Sequence, residues 1–178
     1  MIKLKQITTN DKELYKYGEE LMTQSFPSDE YRDLNELRQY VDSLQHFHYN
    51  IILNDNTPIG ILTFWSFEKF HYVEHFAIDS KLRNGGYGQK AIAHLLQQLN
   101  HPVVLEVEYP EDEMSERRIN FYQRLGFELW KEEYVQPPYK HGAKPLPMYV
   151  MVHGDLVNTT DFELIKATLY KEVYGVNK

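Results

Sequence analysis

"LRNGGYGQK", Leu82 to Lys90, places three of the chain's nine glycines within four residues. The stretch lies between an apolar run, Phe76-Ala77-Ile78, and a segment in which Ala91, Ile92, Leu95, Leu96 and Leu99 share one helical face. Glycine crowding has two physical causes: a turn that needs positive φ, or a backbone that a ligand must approach closely. Here the glycines open a helix, whose first N–H groups lack intrahelical partners and carry partial positive charge. Without side chains in the way, a phosphate can reach those groups, and Arg83 adds a guanidinium that can grip it with two hydrogen bonds. The functional reading is an anion site, for a pyrophosphate; a plain tight turn into a helix is the competing one. Two familiar phosphate patterns are absent. No G-x-x-x-x-G-K-[ST] occurs, and Gly86-Tyr87-Gly88 is followed by Gln89-Lys90-Ala91 rather than by a third glycine.

Outward from the loop, the chain alternates strand and helix signals. Ile2 to Thr8 reads as a strand, and Asn10 with Glu13 as a capping box before a helix carrying Leu14, Tyr17 and Leu21. A second helix is expected from Ser28, with Asp29 and Glu30 in its first turn and Tyr31, Leu34, Leu37, Val41 and Leu44 as its buried stripe. "HYNIIL", "NDNT" and "PIGILTFWSF" read as a β-hairpin, and "HYVEHFAID" as a third strand. After the glycine loop and its helix, Pro102 precedes the strand "VVLEVE". "SERRINFYQRL" is helical with Gly126 as its C-terminal cap. "FELWKEEYV" and "LPMYVMV" are two further strands flanking "QPPYKHGAKP". A final helix, with Thr160 and Glu163 as its capping box and Phe162, Ile165 and Leu169 on one side, runs to Gly175. The order is β-αα-βββ-α-β-α-ββ-α. Hairpins give antiparallel pairs, and the strand–helix–strand unit from Tyr72 to Glu108 demands one parallel pair, so the expected fold is α/β (α+β) with a mixed, mostly antiparallel central sheet flanked by helices.

A length of 178 residues with 42% hydrophobic and 25% charged content fits one soluble domain, residues 1–178. No apolar run is long enough to cross a membrane. "MIKLKQITTN" has no secretory pattern, and the chain has no cysteine, so disulfides, thiol nucleophiles and thiolate metal sites are excluded and a cytoplasmic location is expected. A net charge of −7 argues against a nucleic-acid partner and tolerates a cationic substrate. The eight histidines show no i, i+4 pairing, and His46-x-His48 reads as surface, so no metal is expected.

Loop and element order together resemble the GNAT superfamily of acetyl-CoA-dependent N-acetyltransferases. Arg83-Asn84-Gly85-Gly86-Tyr87-Gly88 matches the family's cofactor signature, [RQ]-x-x-G-x-[GA], and "INFYQRLGF", Ile119 to Phe127, is similar to the aromatic pair and "GF" of its fourth helix. The resemblance covers about residues 1–152, leaving a C-terminal helical extension at about 160–175. It implies acetyl-CoA as acyl donor, held by the Arg83–Gly88 loop with Gln89, and by Phe76, Ala77 and Ile78, whose backbone would pair with the pantetheine arm across a splayed strand pair. Where the family often carries an asparagine seven residues before its helical tyrosine, this chain has Ser115, a shorter cofactor contact.

Acetyl transfer to an amine requires a base, because an alkylammonium with pKa about 10.4 has no lone pair, polarisation of the thioester carbonyl, and a donor for the departing sulfur. By resemblance Tyr122 is that donor. Glu106 occupies the position where some relatives carry a base acting through water, Glu74 on the neighbouring strand is the alternative, and His75 is a further candidate. The fourth-strand N–H groups would polarise the carbonyl. Tyr31, Tyr134 and Tyr139 are candidate pocket walls, and Glu68, Glu74, Glu132 and Glu133 candidate attractors of an ammonium group. The acceptor is a primary amine of a small molecule or peptide, and a homodimer is left open. A non-catalytic acyl-CoA sensor and a transferase of longer acyl groups are the rival readings.

Overall fold

The computed structural model describes residues 1–176. The elements follow the expected order: β1 (Ile2–Gln6), α1 (Lys12–Ser25), α2 (Leu34–Ser43), β2 (Phe47–Asn54), β3 (Thr57–Ser66), β4 (His71–Ile78), α3 (Tyr87–Gln98), β5 (Val103–Glu108), α4 (Glu113–Arg124), β6 (Glu128–Gln136), β7 (Leu146–His153) and α5 (Asn158–Thr168). The strands form one mixed sheet in the order β1-β2-β3-β4-β5-β7-β6. Its only parallel pair among the described residues is β4 with β5. The β2–β3 hairpin turns on Asp55 and Asn56, both at positive φ (47° and 71°), the backbone that two-residue hairpin loops favour.

The two faces of the sheet are covered separately. Tyr15 and Met22 of α1, Leu37 and Val41 of α2, and Phe162 and Ile165 of α5 pack on one face. Ala91, Ile92 and Leu95 of α3 and Ile119 and Tyr122 of α4 pack on the other.

Three helix starts differ from expectation. Asp11, not Asn10, precedes α1, and its side chain accepts from the Thr8 N–H at 2.9 Å. Ser28–Glu30 is an isolated 3-10 turn, and α2 begins only after Asp33, whose carboxylate accepts from the N–H groups of Asn35 and Glu36. Thr160 lies inside the first turn of α5, where Asp161 accepts from the Val157 N–H at 2.7 Å. Of the three, only Asp33 caps its helix directly; Asp11 and Asp161 instead accept from N–H groups at or before the helix start and hold the entering chain in place. The buried face of α1 is also rotated. Tyr15, Gly18, Leu21 and Met22 face the core, with Leu14 and Tyr17 only partly covered. Gly18 allows this, because a Cβ there would lie 2.9 Å from the Tyr49 ring.

Two irregularities of β4 shape the site. First, Thr63 opposes His75 and Phe64 opposes Val73, so Glu74 is an extra, bulged residue. The bulge reverses the alternation. Tyr72 belongs to the α1/α2/α5 layer and Val73 to the α3/α4 layer, but beyond the bulge Ala77 packs in the first layer, and Phe76 and Ile78 against the second. Second, β4 and β5 pair only from His71–Val103 to Val73–Leu105, although both strands continue. This parting is the expected splay.

Gly60 of β3 permits the close approach of β4 beside it, since a Cβ there would sit 2.5 Å from the Ala77 carbonyl oxygen. Gly60→Ala is expected to destabilise the fold by about 1–3 kcal/mol through overpacking, read as a lowered thermal midpoint; an unchanged midpoint would show that the strands can part at no cost.

Candidate active site

Two cavities meet where β4 and β5 separate. The larger, of about 550 Å3, runs along the free edge of β4 and under the start of α3. Phe76, Ala77, Ile78, Arg83, Asn84, Gly86, Tyr87, Gly88 and Gln89 line it, so the structure brings these candidate residues together on one cavity. Asn84 and Gly86 take positive φ (66° and 75°), and α3 starts at Tyr87 with no side chain capping it. The first N–H bonded back to the loop is Lys90, which donates to the Gly86 carbonyl at 3.2 Å, so the N–H groups of Tyr87, Gly88 and Gln89 lack helical acceptors. Arg83 is steadied by its Nε–H, which donates to the Ile78 carbonyl at 3.4 Å.

Two residues of the expected set lie elsewhere. Gly85 does not line the groove, and the Tyr87 ring lies 2.8 Å from where its Cβ would be, so its absence of a side chain makes room for that ring. Ser115 also lies off the groove. Its N–H and hydroxyl both donate to the Asp112 carboxylate, at 2.7 and 2.9 Å, within the first turn of α4.

The smaller cavity, of about 130 Å3, sits between the parted strands and receives Glu74, His75, Glu106 and Tyr122. Phe26, Phe76, Arg118 and Tyr122 line both cavities and mark the junction. The cavities have opposite charge. Among the described residues, the groove is lined by Arg83, Arg117 and Arg118 and by no carboxylate. The inner cavity is lined by Glu30, Glu74, Glu106 and Glu108, with Arg118 the only guanidinium.

Glu74 and Glu106 are both buried, and each has its hydrogen bonds satisfied, but by different partners. Glu74 receives Arg32 Nη1 at 3.1 Å and Nη2 at 2.5 Å, Trp65 Nε1 at 3.0 Å and the Tyr139 hydroxyl at 3.1 Å. Burial is the largest influence and pushes its pKa up, but the Arg32 guanidinium, His75 and the hydrogen bonds from Arg32 and Trp65 together outweigh it and hold the carboxyl below its ordinary value. Glu106 receives only neutral donors: the hydroxyls of Tyr72 (2.9 Å), Tyr134 (3.0 Å) and Tyr174 (2.7 Å) on Oε1, and Gln136 Nε2 (2.6 Å) on Oε2. Burial dominates there, and these donors only partly offset it, so its pKa is raised. Of the two carboxylates, Glu106 therefore has the greater proton affinity.

His75 is buried with its Nε2–H donating to the Glu30 carbonyl at 2.7 Å, and burial lowers its pKa, leaving a neutral ring with one nitrogen already committed. Tyr122 is pushed up to about 12 by burial and stays protonated at neutral pH. Tyr134 and Tyr139 reach the two carboxylates as described, whereas Tyr31 lies outside the cavity beneath Lys140, 4.5 Å from its ring centre. Glu68, Glu132 and Glu133 do not line the cavity; Glu132 instead accepts from Asn158 at 2.7 Å. Arg32, Tyr72, Gln136 and Tyr174 were not anticipated. Arg32 joins Glu74 across 42 residues and Tyr174 joins Glu106 across 68, separations over which no local pattern carries a signal.

Comparison with known proteins places this sheet, with its arginine-lined groove beside two carboxylates, in a family. The acetyltransferase (GNAT) family model matches residues 12–127. The solved structure of a Bacteroides thetaiotaomicron protein described as an acetyltransferase of the GNAT family is 54% identical, with a TM-score of 0.97 over 98% of this chain and 99% of that one. The chain belongs to the GNAT family of acetyltransferases and is an acyltransferase. More distant likenesses, which show the fold, include Arabidopsis thaliana Naa50 in complex with a bisubstrate analogue, CoA-Ac-MVNAL (18% identity, TM-score 0.61, 86% and 98% of the two chains). Another is an Elizabethkingia anophelis family member with acetyl-CoA bound (16%, TM-score 0.59, 85% and 97%). No curated protein matches the chain significantly.

Arg32→Met leaves the Glu74 carboxylate buried without its cation and is expected to destabilise the fold by about 3–5 kcal/mol at neutral pH. Because the folded pKa of Glu74 is depressed, the pair's contribution is present above the unfolded carboxylate value of about 4.3 and is lost as pH falls through the folded value. The deficit is therefore expected to shrink towards acid pH, measured by denaturant unfolding of both proteins across pH 2–8; a deficit constant with pH would mean that Glu74 is not the group left unpaired.

Proposed function

We propose that this protein transfers an acetyl group from acetyl-CoA to a primary amine by direct attack, with both substrates bound at once. The observation that carries the reading is the meeting of the two oppositely charged cavities at Tyr122 and Phe76. The arginine-lined groove fits a phosphorylated donor, because the free N–H groups of α3 and Arg83 converge on it without side chains in between. Acetyl-CoA supplies the thioester and the acetyl group. The N–H groups of His75 and Asp79 point to β3, so by alternation those of Phe76 and Ile78 face the edge that β5 has left, where they can bind the donor and polarise its carbonyl.

The acidic inner cavity favours an ammonium-bearing acceptor. Glu106 takes the proton that the ammonium must lose, its burial having raised its affinity for it. Glu74 stays ionised beside Arg32 and contributes charge rather than proton transfer. Tyr122 faces the junction as a phenol. With a pKa pushed up to about 12 it is a weaker acid than a thiol of pKa about 8.5, so it serves the departing sulfur as a hydrogen-bond donor, and the proton that sulfur finally carries comes from the amine.

The test is calorimetric titration with acetyl-CoA, then thiol release with a panel of small amines and short peptides. Binding with no release from any acceptor would favour a sensor; no binding would remove the reading altogether. Gly86→Glu is expected to weaken CoA binding tenfold or more, roughly 1.4 kcal/mol, by setting a carboxylate against the phosphates. Glu106→Gln is expected to lower kcat by about 10²–10⁴ and Tyr122→Phe by about tenfold or more, both with CoA affinity retained. Wild-type turnover in either variant would remove that residue from its role. In the wild type kcat/KM is expected to rise with pH to a midpoint above the ordinary carboxylate range, since Glu106 must be ionised to act.

A further inference from the structure

The C-terminal helix does more than cover the sheet. After Thr168 it widens into a single π turn, Leu169–Val173, closed by the Tyr174 N–H donating to the Leu169 carbonyl at 3.1 Å. Such turns recur at functional sites. Leu169 and Val173 are buried in the same core layer as Tyr72 and Tyr134, which anchors the turn over β5. From there Tyr174 enters the Glu106 cage: its hydroxyl lies 2.7 Å from Glu106 Oε1 and 3.1 Å from the Tyr72 hydroxyl, and its ring packs 5.2 Å from that of Tyr139. The Val173 carbonyl accepts from Arg32 Nη2 at 3.4 Å, so the same turn touches both buried carboxylates, one directly and one through its guanidinium.

We propose that Tyr174 is a positioning residue for Glu106, so that the C-terminal turn completes an active site otherwise built from the sheet. The proposal rests on the reading of Glu106 as the base. Of the three hydroxyls on Oε1, that of Tyr174 is the nearest and the only one that does not come from a strand. It fixes the orientation of the carboxylate and, by donating to the ionised form, limits how far burial raises its proton affinity. The other groups facing Glu106 are Tyr72 of β4 and Tyr134 and Gln136 of β6. Glu30, Glu108 of β5, Arg118 and Tyr122 of α4, the Glu74–Arg32 pair, His75 and Tyr139 complete the charged and titratable surroundings of the cavity. Removing one phenolic oxygen from residue 174 takes away its contacts with Glu106, Tyr72 and Tyr139 and leaves every charged group in place.

The experiment follows the Glu106 carboxyl carbon by NMR in protein labelled with ¹³Cδ-glutamate, the resonance being identified by its loss in Glu106→Gln. In Tyr174→Phe, which keeps the ring against Tyr139, the titration midpoint is expected to move up by about one pH unit. Replacing Tyr174 with 3-fluorotyrosine, a stronger donor of nearly the same shape, moves it down. Coincident titrations in wild type and both variants, with thermal unfolding showing each to be folded, would overturn the proposal. The readout needs no substrate. Full turnover in Glu106→Gln would instead sink the base assignment, leaving Tyr174's hold on the carboxyl to the titration alone.

Discussion

Strands β4 and β5 run side by side for three residue pairs and then separate, and almost every functional feature follows from that separation. Had they remained paired, the β4 edge would be occupied, the inner cavity closed and Glu106 sealed within a continuous sheet. The parting leaves the N–H groups of Phe76 and Ile78, which face away from β3, without a strand partner, a state that backbone donors reach only where another partner can be supplied. Glycine at position 60 and the bulge at Glu74 hold β4 in this course, the first by admitting it close to β3 and the second by turning its side chains over.

The contrast between Glu74 and Glu106 shows how one environment supports two states of the same chemical group. Each carboxylate is buried and has four hydrogen-bond donors, so neither burial nor the number of donors distinguishes them. Charge does: one donor group at Glu74 is a guanidinium, itself 3% exposed, with the rings of Tyr40 and Tyr139 within 4.9 and 5.3 Å. Those rings and the paired carboxylate compensate a cation that water does not reach. Around Glu106 every donor is neutral, and desolvation prevails.

Much of the architecture was legible because it rests on short-range pattern. Alternation marked the strands, the Phe76–Leu99 segment its strand-to-helix transition, and Gly126, at φ 92°, the end of α4. The glycine loop was legible for the same reason, since its chemistry resides in its own backbone. The helix starts were less so, because an acid-rich chain presents several plausible caps close together and tertiary fit selects among them; Asp33 caps α2 in place of Ser28, and α1 and α5 start with no side-chain cap at all. Ser115 bonds to its near neighbour Asp112, off the groove. The bulge at Glu74 was hidden, as nothing in "HYVEHFAI" announces one extra residue, and strict alternation misassigns the faces beyond it. Arg32 and Tyr174 were hidden by distance along the chain.

The docking of the last turn onto β5 also orders events during synthesis. The arginine-lined groove is built from α1, β4, the glycine loop, α3 and α4, all made before residue 125. The Glu106 cage needs β6 and then Tyr174, which leaves the ribosome some fifty residues later. Every residue lining the groove is therefore synthesised before the hydroxyl that closes the Glu106 cage.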